Sequence, residues 1–421
     1  MHSLRISKLE MERFVVMRRV RVIQVGTAPM VHAAHLATAL KGLPEEFEVL
    51  GIVEEDPALR VAAEKKPEIF GFPFLTWEEA VALRPDAVMV ETDEFQLVRA
   101  ATRSLRAGFH TYMDKPGSGD SAQFHRMCEL AREKQLVLNL GYMFRENPAI
   151  RRALELKEQG ALGEIFSVEA QMSCCNGRNY HETLARSQGG IMYYLGCHMI
   201  DVMVHFCGFP ERVVPLNSKT RLRGVDAVDY GFCAYQYANG VSFVKTAAAE
   251  VNGVNRRSVI ITGSLGSVEI RPIEIPRGDG FDDTIMYVTL DNNKPFTDGR
   301  CEIKFPPHRR YDRLLRNFAA YVRGEKRTRT PRSTRPGCMT LSCAPANSLS
   351  GIPLAVPRAA AGVRKVRRSG GVLFRASAEA EEFARSGFRG FRSVGSTLRL
   401  RFCPVCSRRS GRPRDSRPVQ T

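Results

Sequence analysis

The first third of the chain alternates short apolar runs with segments of helical periodicity. Five of the runs are β-rich, namely VRVIQVG, FEVLGIVEED, PDAVMVET, FHTYMD and LVLNLGY. Such runs are typical of strands that are buried on both faces of a parallel sheet. The helical segment after the second run has Asp56 at its N-cap and Pro57 in its first position. Because strands and helices alternate, we predict a doubly wound parallel sheet, an α/β fold of the Rossmann type.

The pattern changes after residue 142, where strand-like segments predominate. These segments are EIFSVEAQMS, DYGFCAYQY, VSFVKTAAAE, RSVIITG and SVEIRP. Asn239-Gly240 lies between two of them and predicts a hairpin with a type I′ turn. Residues 311–324 have an amphipathic pattern and are predicted to form the helix that closes this domain. We therefore predict an α+β domain with a large, mostly antiparallel open sheet.

These changes of pattern divide the chain into four predicted segments. Residues 1–18 are an N-terminal extension, and residues 19–142 are a dinucleotide-binding Rossmann domain. Residues 143–325 are an α+β domain for substrate binding and oligomerisation, and residues 326–421 are an irregular, Arg-rich tail of low order.

Composition narrows the class of protein. At 421 residues, with 43% hydrophobic and 25% charged residues, the chain has the composition of a soluble enzyme with two cores. It has no apolar run of the roughly 18 residues that a membrane-spanning helix needs, and residues 1–19 lack a signal-peptide pattern. The eleven cysteines are irregularly spaced, which favours reduced thiols. We therefore expect a cytoplasmic protein that does not bind membranes.

The net charge of +17 lies in the tail. Residues 326–421 hold 21 of the 62 Lys and Arg residues but only 4 of the 45 Asp and Glu residues, so the preceding chain is neutral overall. One hypothesis is that the tail binds nucleic acid. The alternative is a shifted reading frame, because codons can be chosen such that one base of shift gives Glu-Asn-Pro-Tyr-Thr-Pro in place of residues 327–332. Sequencing the gene tests the frame shift, and we expect no nucleic-acid partner.

The segment VIQVGTAPMVHAAH lies where a dinucleotide-binding loop G-x-G-x-x-G is expected, after the first strand and at the start of the first helix. Gly26 is kept, whereas Ala28 and Val31 replace the other two glycines. Glu54 ends the second strand, where a carboxylate accepts hydrogen bonds from a ribose 2′-hydroxyl and repels a 2′-phosphate. We therefore expect NAD as cofactor, with NADP less favoured. The candidate cofactor-binding residues are Gly26, Thr27, Ala28, Glu54, Thr92 and Asp114.

Two further segments carry residues suited to proton transfer. Lys115 follows the strand FHTYMD and is expected in the cleft, because ligands of such sheets bind at the carboxyl ends of the strands. In QGGIMYYLGCHMIDVMVHFCG, Tyr194, His198 and Asp201 have the spacing of one helix face. His198 can exchange a proton with a hydroxyl near neutral pH, although a core histidine is the alternative. The double glycine before it favours a functional role because it permits close approach to a ligand.

The chain resembles the Gfo/Idh/MocA oxidoreductases, the glucose–fructose oxidoreductase and inositol dehydrogenase superfamily. Five motifs occur in the order found in that family: VIQVG, GIVEEDP, MDKP, LGYMFRENPAIRRALELKEQGALGEI and GGIMYYLGCHMID. Over residues 19–325 the resemblance implies a Rossmann domain, a second domain with an open sheet, and NAD(P). It also implies a sugar-, polyol- or inositol-like substrate oxidised at a secondary alcohol, and a homodimer or homotetramer.

The resemblance also implies roles for individual residues. Lys115 and His198 match the catalytic lysine and histidine of the family, while Tyr194 stands where the family usually has a catalytic aspartate and Asp114 where it has a glutamate. A phenol supplies no charge at neutral pH to stabilise an imidazolium. Asp201 could orient the histidine instead, or it could be structural.

Two hypotheses of different class follow. The first is an NAD-dependent dehydrogenase that uses Lys115, His198 and Tyr194. The second is a catalytically weak Rossmann-fold nucleotide sensor, motivated by the replaced glycines and by Tyr194. We expect no metal site, because the pair CPVC has no second pair of ligands near it. His32 and His35 could approach the phosphates or could be solvated residues at the start of a helix.

Overall fold

The computed structural model describes residues 18–28, 32–117, 120–187, 189–291 and 299–326, together with the backbone of residues 352 and 353. The N-terminal extension up to residue 17, Val31 and nearly all of the predicted tail, including CPVC, lie outside the described residues. Within the described part of the chain, none of the helices has the length and apolar character to cross a membrane.

Six strands form the first sheet. They are β1 Val20–Val25, β2 Phe47–Val53, β3 Phe74–Leu75, β4 Ala87–Val90, β5 His110–Met113 and β6 Leu138–Leu140. Their order is β3-β2-β1-β4-β5-β6 and every pair is parallel, which confirms the predicted doubly wound sheet. The strand order reverses between β1 and β4, and this reversal opens a crevice at the carboxyl ends of the strands.

Helices connect these strands, and local sequence explains where they begin. The helices are α1 Ala33–Lys41, α2 Pro57–Glu64, α3 Pro67–Phe70, α4 Trp77–Ala82, α5 Leu97–Arg106 and α6 Ser121–Glu133. Asp56 caps α2 as predicted, since its side chain accepts hydrogen bonds from the backbone N–H groups of Ala58 and Leu59. Thr76 and Glu79 form a capping box at the start of α4. This capping box was not predicted from the sequence.

The second sheet has nine strands. The remaining strands of the chain are β7 Ile165–Gln171, β8 Arg212–Pro215, β9 Tyr230–Tyr237, β10 Gly240–Ala247, β11 Ser258–Gly263, β12 Gly266–Ile270, β13 Ile275–Pro276, β14 Asp282–Asp283, β15 Ile285–Leu290, β16 Arg300–Lys304 and β17 Ile352–Pro353. The sheet order is β16-β15-β12-β11-β7-β10-β9-β8-β17, while β13 and β14 pair separately. Within it β7 and β10 are parallel and the other pairs are antiparallel, which confirms the mostly antiparallel sheet. The pairing of β17 with β8 was not predicted from the irregular pattern of the tail.

The hairpin between β9 and β10 forms, but its turn differs from the prediction. Tyr237 pairs with Gly240, so the two loop residues are Ala238 and Asn239, and neither has the positive φ that a type I′ turn requires. Gly240 serves another purpose: a Cβ atom there would lie 2.0 Å from the carbonyl oxygen of Phe166. The glycine therefore permits close approach of β7 and does not supply a turn conformation.

Four further helices complete the described chain: α7 Pro148–Glu158, α8 Arg178–Arg186, α9 Cys197–Cys207 and α10 Asp312–Val322. A π-helical turn, Met192–Gly196, precedes α9. The last helix, α10, contacts the second domain, where Arg313 pairs with Glu146, and it also contacts the first sheet, which was not predicted. Phe318 packs against Tyr112 with ring centres 6.0 Å apart, and Arg316 and Arg323 form ion pairs with Glu46.

Candidate active site

A cavity of about 640 Å³ lies at the carboxyl ends of β1, β2 and β4, beside the point where the strand order reverses. Gly26 and Ala28 line it from the loop after β1, Glu54 from the end of β2, and Thr92 from the loop after β4. Four of the six predicted cofactor-binding residues therefore surround one cavity, whose volume is typical of small-molecule sites.

Gly26 has a backbone conformation and a close contact that exclude a side chain. Its φ is +96°, and an added Cβ atom would lie 2.6 Å from the carbonyl oxygen of Glu91 and 2.7 Å from the nitrogen of Thr92. The loop after β1 can therefore lie against the loop after β4 only with glycine at this position.

Thr27 positions Glu54 and does not line the cavity itself. The backbone N–H and the hydroxyl of Thr27 both donate to Oε2 of Glu54 at 2.7 Å, and the N–H of Asp56 donates to Oε1 at 3.0 Å. A carboxylate offers about four lone-pair positions. These three donors leave one position on Oε1 for a ligand hydroxyl.

Three arginines line the same cavity: Arg99, Arg103 and Arg106. The guanidinium of Arg103 lies 4.4 Å from the centre of the Trp77 ring and forms an ion pair with Glu55. Guanidinium groups bind phosphates and a strand-end carboxylate binds ribose. The residues present therefore fit a dinucleotide with its ribose and pyrophosphate groups.

Lys115 and Tyr194 contact each other where the elements of the two sheets meet. Lys115 follows β5 and is buried. Its Nζ donates to the main-chain oxygen of Tyr194 at 3.2 Å and lies 4.9 Å from the centre of the Tyr194 ring. Burial, followed by the charges of Glu94 and Asp114, raises the pKa of the Tyr194 hydroxyl, so the phenol is neutral at physiological pH.

His198 lies in the first turn of α9 and is 1% exposed. The rings of Tyr142 and Phe144 meet it edge-on, with ring centres 5.9 and 5.4 Å away. Burial lowers the pKa of His198 well below its ordinary value, and the positive charges of Lys115 and His32 lower it further. The imidazole is therefore neutral at pH 7 and able to accept a proton. The structure thus brings Lys115 into contact with Tyr194 and places His198 one helical turn further along the chain, within range of the charge of Lys115. None of the three is among the residues that line the cavity described above.

Asp201 is held by Arg145. The Nε and Nη2 atoms of Arg145 donate to the two carboxylate oxygens of Asp201, both at 2.9 Å, and Asp201 is 1% exposed. This bidentate pair supports the structural alternative for Asp201 over the role of orienting His198.

The second glycine of the pair, Gly190, lies against the protein's own backbone. Gly190 has a φ of +55°, and a Cβ atom there would lie 2.4 Å from the carbonyl oxygen of Val228. The absent side chain therefore permits close approach of the protein's own backbone, which accepts a hydrogen bond from Ile191 at this point.

Asp114 is buried and is not among the residues that line the cavity. It is 1% exposed, and its Oδ1 accepts a hydrogen bond from Nδ1 of His32 at 3.2 Å. His32, predicted either to approach the phosphates or to be solvated, contacts this carboxylate and is 22% exposed.

Two acidic residues after β4, Glu91 and Glu94, were missed from the sequence. Glu91 is 0% exposed, and neither of its carboxylate oxygens has a hydrogen-bond partner among the described residues. Burial, and then the negative charge of Asp114, raises the pKa of Glu91 well above its ordinary value. Burial likewise raises the pKa of Glu94, whose charge acts on Tyr194. Their position at the end of a strand beside the reversal of strand order is the signal that could have identified them.

The described residues include no group of three or more His, Cys, Asp or Glu side chains that could hold a metal ion.

Two family models match the two halves of the described chain. Residues 18–142 match the Gfo/Idh/MocA oxidoreductase family with its NAD-binding Rossmann fold, and residues 150–269 match the Gfo/Idh/MocA C-terminal domain. The chain belongs to the Gfo/Idh/MocA oxidoreductase family. This confirms the resemblance seen in the sequence motifs and makes the chain an NAD(P)-binding Rossmann oxidoreductase.

Relatives within the Gfo/Idh/MocA family include sugar-modifying enzymes. The chain is 35% identical over 207 residues to a dTDP-3,4-didehydro-2,6-dideoxy-alpha-D-glucose 3-reductase of Streptomyces violaceoruber, a match that covers 44% of this chain and 57% of the relative. It is 26% identical over 200 residues to the D-glucoside 3-dehydrogenase of Escherichia coli, covering 46% of this chain and 54% of the relative. The chain thus spans about half the length of these two relatives.

A solved structure shares the fold. A 3-ketoreductase from Actinomadura kijaniata, in complex with TDP-benzene and NADP, superposes with a TM-score of 0.63 at 22% sequence identity. The superposition covers 77% of this chain and 96% of that enzyme.

Proposed function

We propose that this Gfo/Idh/MocA protein transfers hydride between a secondary alcohol of a sugar-, polyol- or inositol-like substrate and NAD. The observation that carries the proposal is the contact of Lys115, at the carboxyl end of β5, with Tyr194, together with a neutral, buried His198 within range of the charge of Lys115. The names of the two relatives, a 3-reductase and a 3-dehydrogenase of glucose-type sugars, support the substrate class.

The nicotinamide, when bound, supplies the hydride acceptor, and the residues of this chain handle the proton and the oxygen. His198 is neutral and buried, so it accepts the hydroxyl proton of the alcohol. Lys115 turns from the main-chain oxygen of Tyr194 to donate to the substrate oxygen and stabilise its developing negative charge. The neutral phenol of Tyr194 donates a hydrogen bond that positions the substrate.

The preference for NAD over NADP rests on Glu54. Its carboxylate lines the cavity and repels a 2′-phosphate, whereas Arg103, one of the three arginines in the same lining, is paired with Glu55. We expect Glu54→Gln to weaken NAD binding and to strengthen NADP binding, measured by fluorescence titration with the two reduced cofactors. A variant that binds both cofactors as the parent does would contradict this role.

The proposal is tested with a panel of sugars, polyols and inositols in the presence of NAD. Lys115→Ala and His198→Asn are each expected to lower kcat/KM by about 10²–10⁴-fold. Lys41→Ala is the matched control, because Nζ of Lys41 also donates to main-chain oxygens, those of Pro67 and Glu68, but lies away from the site. Undiminished turnover by Lys115→Ala would show that the proposed chemistry is wrong.

A second candidate is a nucleotide sensor with weak catalysis. It is favoured by the neutral phenol at Tyr194, which gives an imidazolium at His198 no opposite charge. Tight binding of NADH without turnover of any substrate in the panel would support the sensor.

We also propose that the outer face of the second sheet pairs two subunits. Phe232 and Phe243 stack there with ring centres 5.3 Å apart, and Val241, on the same face of β10, is 54% exposed. Val241→Lys is expected to weaken the dimer in sedimentation velocity experiments.

A further inference from the structure

His198 cannot keep the proton that it accepts. Burial, together with the positive charge of Lys115, disfavours its protonated form, so each proton taken from substrate has to move on. The aromatic rings of Tyr142 and Phe144 cover it edge-on. Nδ1 of His198 is buried and has no hydrogen-bond partner in the part of the chain that the structure describes. The inference developed below rests on the proposed function, in which His198 is the base.

His32 is the neighbouring group that can take up a proton and also reaches solvent. Its ring centre is 6.4 Å from that of His198, a separation that one water molecule can bridge. Its side chain is 22% exposed, whereas His198 is 1% exposed. His32 therefore lies between the buried base, His198, and the solvent.

Asp114 fixes which nitrogen of His32 exchanges protons. Burial alone would raise the pKa of Asp114, but its interactions with His32 and Lys115 outweigh burial and hold its pKa below the ordinary value, so the carboxyl is ionised. An ionised carboxylate can only accept, and Nδ1 of His32 therefore keeps its hydrogen and donates it to Oδ1 of Asp114. Nε2 is then the atom that takes up the proton, and Asp114 stabilises the resulting imidazolium.

We propose that His32 relays the proton of each turnover between His198 and solvent. In the oxidative direction the substrate C–H bond breaks, its hydride and electron pair pass to the nicotinamide, and the C–O bond becomes C=O. The hydroxyl proton passes to His198, then to Nε2 of His32, and then to water. The reductive direction reverses each transfer, and no further reactant is needed.

The other groups around His32 do not provide a competing acceptor. His35 follows on α1, with its ring centre 6.2 Å away, and burial lowers the pKa of His35. Tyr311, 6.1 Å away, has a hydroxyl whose pKa burial raises well above its ordinary value. Arg310 is cationic and lowers the pKa of both His35 and His198.

The test compares His32→Asn with His35→Asn in the full-length chain. An asparagine at 32 can donate its amide hydrogen to Asp114 but cannot carry a proton. We expect His32→Asn to lower kcat about 10²-fold in dilute buffer, with imidazole restoring the rate in a saturable manner and with an enlarged solvent isotope effect. His35→Asn, which leaves the contact with Asp114 intact, should show the kcat of the parent and no rescue. A loss of rate in His32→Asn that imidazole does not restore would overturn the relay and assign His32 a structural role.

A second measurement does not depend on substrate. Exchange of the ring N–H of His198 with solvent, followed by NMR on protein with ¹⁵N-labelled histidine, should slow at least tenfold in His32→Asn and stay unchanged in His35→Asn. Equal exchange in His32→Asn and the parent would overturn the relay. Slowed exchange in a protein that turns over no substrate would sink the proposed dehydrogenase activity but leave the relay standing.

Discussion

The contact between Gly26 and the loop after β4 can be tested by comparing two glycines. Gly26 and Gly108 have nearly the same backbone conformation, with φ of +96° and +91°. An added Cβ atom at Gly26 would lie 2.6 Å from the carbonyl oxygen of Glu91, whereas at Gly108 it would meet nothing within 4 Å. The two alanine variants therefore share the conformational cost, and only one of them adds a steric clash.

The expected magnitudes follow from this difference. A non-glycine residue at positive φ costs roughly 1–2 kcal/mol, which should be the whole effect of Gly108→Ala. Overpacking against a well-packed neighbour adds about 1–3 kcal/mol. Because the atom in the way at Gly26 belongs to the backbone, Gly26→Ala is expected to lower the free energy of unfolding by about 2–5 kcal/mol in total.

The assay is thermal unfolding of both variants and the parent, with and without saturating NADH. We expect Gly26→Ala to melt at the lower temperature and to gain less from NADH, since a displaced Thr27 no longer orients Glu54. If the two variants melt together and respond equally to NADH, the close approach at Gly26 does not matter for stability or for cofactor binding.

Two further predictions concern buried charge. Arg145→Ala leaves Asp201 buried without its bidentate partner and should lower the free energy of unfolding by about 3–5 kcal/mol. The control Arg152→Ala breaks an exposed ion pair and should lower it by at most about 1 kcal/mol. Urea unfolding measures both losses, and equal losses would contradict the structural role assigned to Arg145. Burial raises the pKa of Glu91, so the folded state keeps a proton at pH values above the ordinary glutamate pKa, where the unfolded state has released it. The stability of the folded state therefore falls as the pH rises above that ordinary value. Glu91→Gln removes this loss, and its advantage in melting temperature over the parent should grow from pH 5 to pH 8; a constant difference would mean that Glu91 is ionised when folded.

The fold was predictable because its signals are long and repeated. The alternation of apolar runs and helical periods over the first third of the chain matches the parallel sheet, strand by strand, apart from β3. That strand has two residues, too few to show a period. The turn between β9 and β10 was misassigned because Asn-Gly is a strong local signal, and the contact of Gly240 with β7 lies far away along the chain.

The candidate site was predictable only in part, for a similar reason. Lys115 was identified because it ends a strand, and His198 because its helix carries polar residues on one face. The pairing of Arg145 with Asp201 spans 56 positions along the chain and leaves no local pattern. Glu91 has the sequence context of a solvated strand end, and only the packing of neighbouring elements buries it.

The contact between Tyr112 and Phe318 has a consequence for how the protein is made. Both side chains are fully buried, although strands β7 to β16 lie between them along the chain. During synthesis, a nascent chain that has emerged only as far as β6 therefore presents the Tyr112 ring to water. This contact in the core of the nucleotide-binding half is therefore completed only after α10 has emerged from the ribosome, by two segments that are far apart in the chain.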